Sequence, residues 1–390
     1  MFLKKLKLND FRNYINFEQT FDHLKTIIIG QNAQGKSNIL EAINVLATSQ
    51  SERAEKDSEL VFWDKDYALI FSDIQTKNSE LKIALQINST GRRKLKINDV
   101  PKKAPQADLL GNFFAVMFSC DDLYLVKGSP SARRRWLDSV LFQLDTRYHR
   151  SIQDYQKSTT QKNALLKKAQ ETRMPRKELN EQLGIWNEQV ISLGTEIIFT
   201  RLRFIKEIAP VANEFLNNIS KNTEDFGLIY KSSICEDEHN YVHLHEMDKT
   251  KIKELFHKSI TESFDEELAR GQSVIGPHRD DLIFLINKKE AKSFASQGQQ
   301  RSIVLAVKLA ELKLFEKEKD EIPVLLLDDV FAELDENRQD FLLHNLPENI
   351  QTFLTTTHIS DIQKEFLNGA QVLEVKNGEI IENIGLGCKI

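Results

Sequence analysis

Residues Gly30-Gln31-Asn32-Ala33-Gln34-Gly35-Lys36-Ser37 fit the pattern G-x-x-x-x-G-K-[ST], the phosphate-binding loop or Walker A motif. A β-branched apolar run at 26–29 precedes the loop, and apolar residues at helical spacing over 38–48 follow it. This order of strand, loop and helix directs backbone N–H groups and a helix N-terminus at a phosphate. We expect Lys36 to reach the β- and γ-phosphates and Ser37 to hold Mg²⁺. The stretch predicts an α/β fold whose nucleotide site comprises residues 30–37 and Asn38.

Composition limits the classes of protein that fit the chain. Its 390 residues predict two or three compact units, because single cores stop growing near roughly 250–300 residues. The formal net charge of −5 gives no overall basic field, so any nucleic-acid contact must come from local patches. No apolar run is long enough for a membrane span, and the apolar–basic alternation over 1–8 predicts a strand rather than a signal peptide. Cys120, Cys235 and Cys388 lie far apart, which indicates free thiols in the reducing cytosol.

The stretch Val324-Leu325-Leu326-Leu327-Asp328-Asp329 is an apolar strand that ends in two carboxylates, which is the Walker B pattern. We expect Asp328 to face the Mg²⁺ between the β- and γ-phosphates. Asp329 is then the catalytic residue that orients or deprotonates the attacking water. The alternative for Asp329 is the N-cap of the following helix.

Three further segments carry candidate site residues. Ser296-Gln297-Gly298-Gln299-Gln300-Arg301 precedes an apolar helical pattern and predicts a second anion cradle, which suggests a site completed by another subunit. The alternative is a helix cap followed by a polar turn. Asp335 lies just past Walker B, and His358 follows the apolar run 353–356, where it can contact a γ-phosphate. The alternative for His358 is a purely structural histidine.

Walker A, the S-x-G-Q-Q-R signature, L-L-L-D-D and a following D-loop occur in the order found in ATP-binding-cassette (ABC) ATPases of chromosome maintenance. Within that group the chain resembles the RecF family of SMC-like, ABC-type ATPases, which act in bacterial DNA replication and repair. The resemblance extends to about residue 380 and includes these further segments: Phe11-Arg12-Asn13-Tyr14, Asn38-Ile39-Leu40-Glu41-Ala42-Ile43, Gly128-Ser129-Pro130 with Arg133-Arg134-Arg135-Trp136-Leu137-Asp138, Lys162-Asn163-Ala164-Leu165-Leu166-Lys167 and Gly276-Pro277-His278-Arg279-Asp280-Asp281.

The resemblance implies a P-loop ABC-type ATPase head with a mixed or parallel sheet, an antiparallel β subdomain and a helical second lobe. Period-2 alternation over 67–74, 80–88 and 93–98 fits the antiparallel strands. We predict that 1–130 form the N-terminal part of the head and 271–390 its C-terminal part, with signature, Walker B and D-loop. Residues 131–270 then form the helical lobe, with either a short helical hairpin or two ordinary packed helices.

The resemblance also implies ATP and Mg²⁺ as cofactors, adds Arg12 to the nucleotide-binding residues and implies an ATP-dependent homodimer. In that dimer Ser296, with Gly298, Gln299, Gln300 and Arg301, contacts the γ-phosphate bound by the other copy's Lys36. It implies binding to gapped or single-stranded DNA in the cytoplasm, with RecR and RecO as partners in loading a recombinase. Many ABC ATPases have Glu at the position of Asp329, and the shorter side chain is consistent with slow hydrolysis. No Q-loop glutamine is found, since Ser119-Cys120-Asp121-Asp122 follow Phe118 instead.

Candidate DNA contacts are basic triplets, and the alternative for each is a solvated surface. They are Arg92-Arg93-Lys94 with Lys96, Lys102-Lys103, and Arg133-Arg134-Arg135. Binding through such side chains is strongly salt-dependent. Arg133 to Arg135 have the further alternatives of serving the nucleotide pocket or packing between lobes.

Two hypotheses for the function remain open. The first is a weak DNA-dependent ATPase that uses ATP to close a dimer on DNA. The second is a nucleotide-gated, non-catalytic scaffold for repair partners. A transporter ATPase subunit does not suit the strand-rich region 67–98 or the long helical insertion.

Overall fold

The computed structural model describes residues 1–235 and 244–385, so Cys388 lies outside the described residues. The chain forms two compact units, Met1–Leu123 with Val304–Ile390, and Tyr124–Ile303. This division differs from the predicted segments, because residues 271–303, including the signature, group with the helical unit. Proximity in space, rather than order along the chain, decides the grouping.

The strands and helices are numbered in chain order. The strands are β1 (Phe2–Phe11), β2 (Tyr14–Thr20), β3 (Lys25–Ile29), β4 (Tyr67–Gln75), β5 (Glu80–Asn88), β6 (Arg93–Ile97), β7 (Val100–Lys102), β8 (Ala115–Ser119), β9 (Phe226–Lys231), β10 (Asp281–Ile286), β11 (Lys289–Glu290), β12 (Val324–Asp328), β13 (Thr352–Thr356), β14 (Ala370–Lys376) and β15 (Glu379–Gly385). The helices are α1 (Lys36–Thr48), α2 (Pro105–Leu109), α3 (Leu123–Lys127), α4 (Pro130–Leu144), α5 (Thr146–Thr172), α6 (Arg176–Ile219), α7 (Lys249–Glu262), α8 (Phe264–Arg270), α9 (Ala291–Phe294), α10 (Gln297–Lys319), α11 (Glu336–His344) and α12 (Lys364–Leu367).

The central sheet of the first unit has the strand order β15-β14-β3-β13-β12-β8. Strands β14, β3, β13, β12 and β8 run parallel, and β15 pairs antiparallel at the edge. Buried aliphatic residues fill both faces of β12, as expected for a parallel strand covered on both sides. Because parallel strands end at a common edge, the loops that follow β3, β13, β12 and β8 lie side by side. This sheet confirms the predicted mixed α/β fold.

A second, antiparallel sheet of the same unit has the order β2-β1-β4-β5-β6-β7. Along β4 and β5, fully buried side chains alternate mostly with half-buried ones, and Ile70 and Leu85 lie on the buried inner face. That face joins α1 and the central sheet in one hydrophobic core, which includes Leu46 and Phe353. The predicted antiparallel β subdomain is therefore present and braces the helix that follows the Walker A loop.

The second unit is mostly helical. Helices α5 and α6 pack as an antiparallel pair, with Leu166 and Ala169 against Leu179 and Leu183 near the turn. Helix α6 has 44 residues and contains Pro210. Strands β9, β10 and β11 form a small antiparallel sheet in the same unit. Among the residues that the structure describes, no helix combines the length and apolar character that a membrane crossing requires.

Candidate nucleotide-binding site

The Walker A loop connects β3 to α1 and needs glycine at two positions. Gly35 has φ 113°, and a Cβ added there would lie 2.6 Å from Asn13 Nδ2 and 2.9 Å from Tyr14 OH. A Cβ added to Gly30 would lie 2.4 Å from the carbonyl oxygen of Val375. These separations are shorter than a side chain tolerates. The two glycines therefore allow the loop to pack closely on the β1–β2 turn and on β14.

Side chains outside the loop fix its backbone. Asn13 Nδ2 donates to Gln34 O at 3.0 Å, and the buried Tyr14 hydroxyl donates to Gly35 O at 3.1 Å. Asn38, which the sequence placed in the nucleotide site, donates from Nδ2 to Asn13 Oδ1 at 2.8 Å. The sequence did not assign Asn13 and Tyr14 to the site, although both belong to the segment that carried the family resemblance.

The β14–β15 turn holds the loop from the opposite side. Asn377 N donates to Gln34 Oε1 at 2.7 Å, and Gly378 N donates to Gln34 O at 3.1 Å. Sequence spacing gave no signal for this contact, because 343 residues separate Gln34 and Asn377. The loop is thus preorganised from both sides before any ligand binds.

The ammonium group of Lys36 folds into the loop. Its Nζ donates to Gly30 O at 2.7 Å and to Gln31 O at 3.2 Å, and the residue is 4% exposed. An ammonium has three donors, so one is available to a phosphate oxygen in this geometry. The arrangement fits the predicted role of Lys36.

Walker A and Walker B meet at the common edge of the central sheet. Ser37 Oγ donates to Asp328 Oδ1 at 2.7 Å across 291 positions of sequence. Thr355 Oγ1 donates to the same Asp328 oxygen at 2.7 Å and accepts a hydrogen bond from Asp329 N at 2.9 Å. Oxygen ligands suit Mg²⁺, and neighbouring ligands in an octahedron with bonds of about 2.1 Å lie roughly 3 Å apart. The Ser37–Asp328 pair therefore fits a Mg²⁺ site.

Asp329 adopts an unusual backbone conformation beside this pair. Its φ is 53° and its ψ is 23°, in the left-handed region, and its side chain makes no capping hydrogen bond to the following turn. The alternative of an N-cap is therefore not supported. Burial raises the pKa of the Asp329 carboxyl, Lys36 opposes the rise, and Asp328 adds to it. A higher pKa makes Asp329 a better proton acceptor than an ordinary aspartate.

The segment 119–122 follows β8 at the position where the sequence has no Q-loop glutamine. The β8–β12 register pairs Ser119 with Asp328, and Cys120 Sγ donates to Asp328 O at 3.8 Å. Burial, then Glu333 and the neighbouring aspartates, raise the pKa of the Cys120 thiol to about 12. Cys120 is therefore protonated at neutral pH and is not a reactive thiolate.

His358 and Asp335 lie in the loops that follow β13 and β12. His358 is exposed, and its backbone N–H donates to Thr356 Oγ1 at 3.3 Å. Strand β13 lies between β3, which leads into Walker A, and β12, which carries Walker B. The loop after β13, which contains His358, therefore begins between the two motifs. Asp335 caps α11 by accepting from Arg338 N at 3.0 Å, and the two side chains form an ion pair.

The signature residues begin α10. Ser296 and Gln299 form a reciprocal capping box, because Gln299 N donates to Ser296 Oγ at 3.2 Å and Ser296 N donates to Gln299 Oε1 at 2.8 Å. Gln299 Nε2 also donates to Glu224 Oε1 at 2.9 Å, while Gln300 is buried and donates to Ala295 O at 2.9 Å. Gly298 and Arg301 lie in the same first turns. In the single chain this segment is a helix cap, and Ser296 is exposed.

Three predicted contact residues are engaged inside the protein. Arg12 forms a bidentate ion pair with the buried Glu41 of α1, at 2.8 and 2.5 Å. This pair explains the position of the Arg12 side chain without any contact to a nucleotide. Arg93 pairs with Asp57 at 2.7 and 2.6 Å and is likewise withdrawn from solvent. The third is Arg133, which pairs with Asp281.

In each of the triplets 92–94 and 133–135, one arginine is paired with a carboxylate while its neighbours are more exposed. Arg133 is 5% exposed and pairs with Asp281 at 2.7 and 2.8 Å. Arg134 is half-buried, whereas Arg92, Lys94 and Arg135 are exposed. Arg93 and Arg133 each already neutralise a carboxylate, which favours a structural role over the predicted DNA contact.

The chain is similar to known proteins over nearly its whole length. The RecF/RecN/SMC N-terminal domain family model matches residues 2–380. The chain is 40% identical over 380 residues to proteins named "DNA replication and repair protein RecF" from Bacillus cereus (strain Q1) and Bacillus anthracis (strain A0248), covering 97% of this chain and 98% of each relative.

Two solved structures of the recombination mediator protein RecF in the RecFOR pathway are also similar. The one described with ATP has a TM-score of 0.87 at 32% identity, covering 98% of this chain and 97% of the other. The one described with ATPrS has the same TM-score and identity. An Smc head bound to the C-terminal winged-helix domain of ScpA has a TM-score of 0.54 at 17% identity, which indicates a shared fold alone.

Proposed function

Because the chain belongs to the RecF/RecN/SMC N-terminal domain family, we propose that it is an ATP-dependent DNA-binding protein of recombinational DNA repair and replication restart. It works in the cytoplasm at gapped or single-stranded DNA and helps to load a recombinase, with RecR- and RecO-type proteins as partners. One observation carries the nucleotide part of this proposal: the 2.7 Å contact between Ser37 Oγ and Asp328 Oδ1 at the edge of the central sheet.

Different side chains of the site bind the phosphates, hold the metal ion and act on the attacking water. The 30–37 loop and the Lys36 ammonium bind the phosphates, and Ser37 and Asp328 hold Mg²⁺, which neutralises charge on the phosphate oxygens. Thr355 fixes the orientation of Asp328. Asp329 accepts a proton from the attacking water, or orients it, and His358 contacts the γ-phosphate. The single methylene of Asp329 gives slow hydrolysis, because its carboxylate reaches less far than that of a glutamate.

The dimer uses the N-terminus of α10. We propose that Ser296 and the first turn, 297–301, cap the γ-phosphate held by a second copy, because a helix N-terminus favours an anion. The exposure of Ser296 supports this role.

Two variants and one control test the composite site. Lys36→Met abolishes ATP binding and dimerisation, whereas Ser296→Arg leaves ATP binding by the monomer intact and blocks dimerisation and turnover. The lost cap costs about 1 kcal/mol of stability by itself. Asp248→Ala is the matched control, since Asp248 caps α7 in the same unit by accepting from Lys251 N at 2.9 Å. A Ser296→Arg protein that dimerises like Asp248→Ala contradicts the composite site.

Sedimentation velocity with and without ATP, and with gapped duplex DNA, tests the function as a whole. We expect monomers without ATP, dimers with ATP, and a larger complex when gapped DNA is added. A chain that sediments identically under all three conditions contradicts the proposal.

A nucleotide-gated scaffold is the second candidate, and the length of the Asp329 side chain favours it. A carboxylate this short positions an attacking water less well than a glutamate, which fits slow hydrolysis. Asp329→Asn separates the two functions, because it stops hydrolysis while leaving the phosphate loop unchanged. If the trapped dimer still supports gap repair, the scaffold function is favoured; if repair is lost, hydrolysis is required.

A further inference from the structure

Two motifs that the nucleotide site does not use meet in the unit Tyr124–Ile303. The arginine-rich start of α4 and the segment Gly276-Pro277-His278-Arg279 before β10 border a cavity of about 240 Å³. Its lining includes Arg134, Arg135, Asp138, Arg201, Pro277 and His278. We propose that this cavity binds a phosphate group, at a site separate from the Walker A loop.

Arg201 is a buried and firmly held part of the cavity lining. It is 2% exposed, and its Nε donates to Tyr148 OH at 2.8 Å. Its Nη1 donates to Pro277 O at 2.8 Å, and its Nη2 donates to Asp138 Oδ1 at 2.8 Å. The Tyr148 hydroxyl donates to the same Asp138 oxygen at 2.5 Å. Because these bonds hold the guanidinium from several sides, its charge is fixed at the cavity wall.

Arg134 adds a second, less compensated charge. Its Nη1 donates to the backbone oxygen of Asp280 at 2.6 Å, and no carboxylate within the described part of the chain forms an ion pair with it. The Asp280 carboxylate is occupied elsewhere, since it accepts from Tyr230 OH at 2.6 Å and from Ser233 N at 2.7 Å. Burial, and then Arg201, lower the pKa of Arg134, and the nearby carboxylates of Asp281, Asp280 and Asp138 oppose this shift only in part. An anion in the cavity would relieve this unfavourable environment.

The charges at the lining favour an anion. Three guanidinium groups, those of Arg134, Arg135 and Arg201, face one carboxylate, that of Asp138. The lining therefore carries more positive than negative charge. The adjacent Arg133 does not add to this positive charge, because Asp281 neutralises it. The exposed Arg135 lies at the solvent side, where an incoming anion meets it first.

The size and chemistry of the cavity select a phosphate. Cavities that enclose drug-sized ligands have volumes of about 300–1,000 Å³, so 240 Å³ suits a small group rather than a whole nucleotide. Guanidinium groups match the geometry of phosphate oxygens and bind them through paired N–H donors. Such a group is available from a DNA backbone or from free phosphate, and the two sources give different results in binding assays.

The test compares the double variant Arg134→Gln/Arg135→Gln with Arg203→Gln, which removes an exposed arginine of α6 in the same unit. Full-length proteins are titrated with inorganic phosphate in a Lys36→Met background, so that the Walker A loop does not contribute. Duplex DNA binding is measured by fluorescence anisotropy over a range of salt concentrations, and ATP binding is measured in parallel with intact Lys36. Arg135→Gln alone is included, because loss of an exposed side chain leaves the fold intact.

If free phosphate is the ligand, the double variant binds inorganic phosphate roughly tenfold more weakly than the Arg203→Gln control. If a DNA phosphate is the ligand, the slope of log K against log salt becomes less negative by about 0.9 for each arginine–phosphate ion pair that the substitution removes, and Arg135→Gln shows part of that change. Either result supports the site. Unchanged phosphate binding and an unchanged salt slope in both the double and the single variant overturn it. Normal ATP binding in every Lys36-containing variant separates this outcome from failure of the nucleotide-site proposal.

Discussion

Thr355 connects the two carboxylate-bearing residues of Walker B through one hydroxyl group. Its Oγ1 donates to Asp328 Oδ1 at 2.7 Å and accepts from Asp329 N at 2.9 Å. Thr355→Val keeps the branched shape of the side chain but removes both hydrogen bonds. Asp328 then loses a donor that fixes its orientation, and Asp329 N loses its acceptor.

The expected loss of stability follows from these two bonds. A hydrogen bond to a charged group contributes about 1.5–3 kcal/mol, and a buried donor without an acceptor costs about 1–3 kcal/mol. Asp328 and Asp329 are only partly buried, so we expect a total loss of about 3 kcal/mol. At about 2–4 °C per kcal/mol for a unit of this size, the melting temperature of the unit falls by about 6–12 °C. Removing a hydrogen bond to a metal ligand also weakens metal affinity, by about 10–100-fold.

Differential scanning calorimetry and Mg²⁺ titration of ATP binding measure the two effects. Thr26→Val is the matched control, because Thr26 is fully buried on the neighbouring β3 and its hydroxyl has no hydrogen-bond partner among the described residues. We expect Thr26→Val to leave stability unchanged or to raise it, and Thr355→Ser to retain most of the Mg²⁺ affinity. Equal losses in Thr355→Val and Thr26→Val would refute the reasoning, since burial rather than the two bonds would then explain the effect.

Three further substitutions test other buried or partly buried charges. Asp329→Asn raises the melting temperature at pH 7 and has less effect near pH 4. The reason is that a carboxyl with a raised pKa lowers the stability of the folded state as pH rises through that pKa. Thermal melts at both pH values measure this difference. Lys162 Nζ lies 2.6 Å from Glu267 Oε2, and both side chains are buried. Lys162→Met lowers the free energy of unfolding by about 3–5 kcal/mol, because it leaves the Glu267 carboxylate buried without its partner. Urea titration of that variant should show partial recovery when Glu267→Gln is added. Arg93→Ala lowers the melting temperature, whereas a change within about 0.5 kcal/mol is expected for the exposed Arg92→Ala.

The phosphate loop was predictable because its requirements are local. A glycine with positive φ, an apolar strand before it and a helix after it lie within about two dozen consecutive residues, so the pattern is visible in one stretch. The antiparallel strands were predictable for the same reason, since period-2 alternation is a property of neighbouring residues. The family resemblance also implied the mixed sheet, which the structure confirms.

The roles of the arginines were not predictable in this way. Arg92 and Arg93 are adjacent and carry the same charge, yet Arg93 pairs with Asp57, which lies 36 positions earlier, and Arg92 remains exposed. Arg133 and Arg135 differ for the same reason, because Asp281 is available to only one of them. Sequence shows the sign of a charge but not the distance to its partner.

By itself, therefore, the sequence determined the α/β fold, the phosphate loop and the carboxylates of Walker B, because backbone freedom and hydrophobic periodicity act over short stretches of chain. Only the tertiary structure decided that Thr355 joins Asp328 to Asp329 and that Asn13 and Asn377 brace the loop. It also decided which arginines pair with a carboxylate, as Arg93 and Arg133 do. Such contacts join residues that are remote in the chain, and they form only when packing brings their strands and helices together.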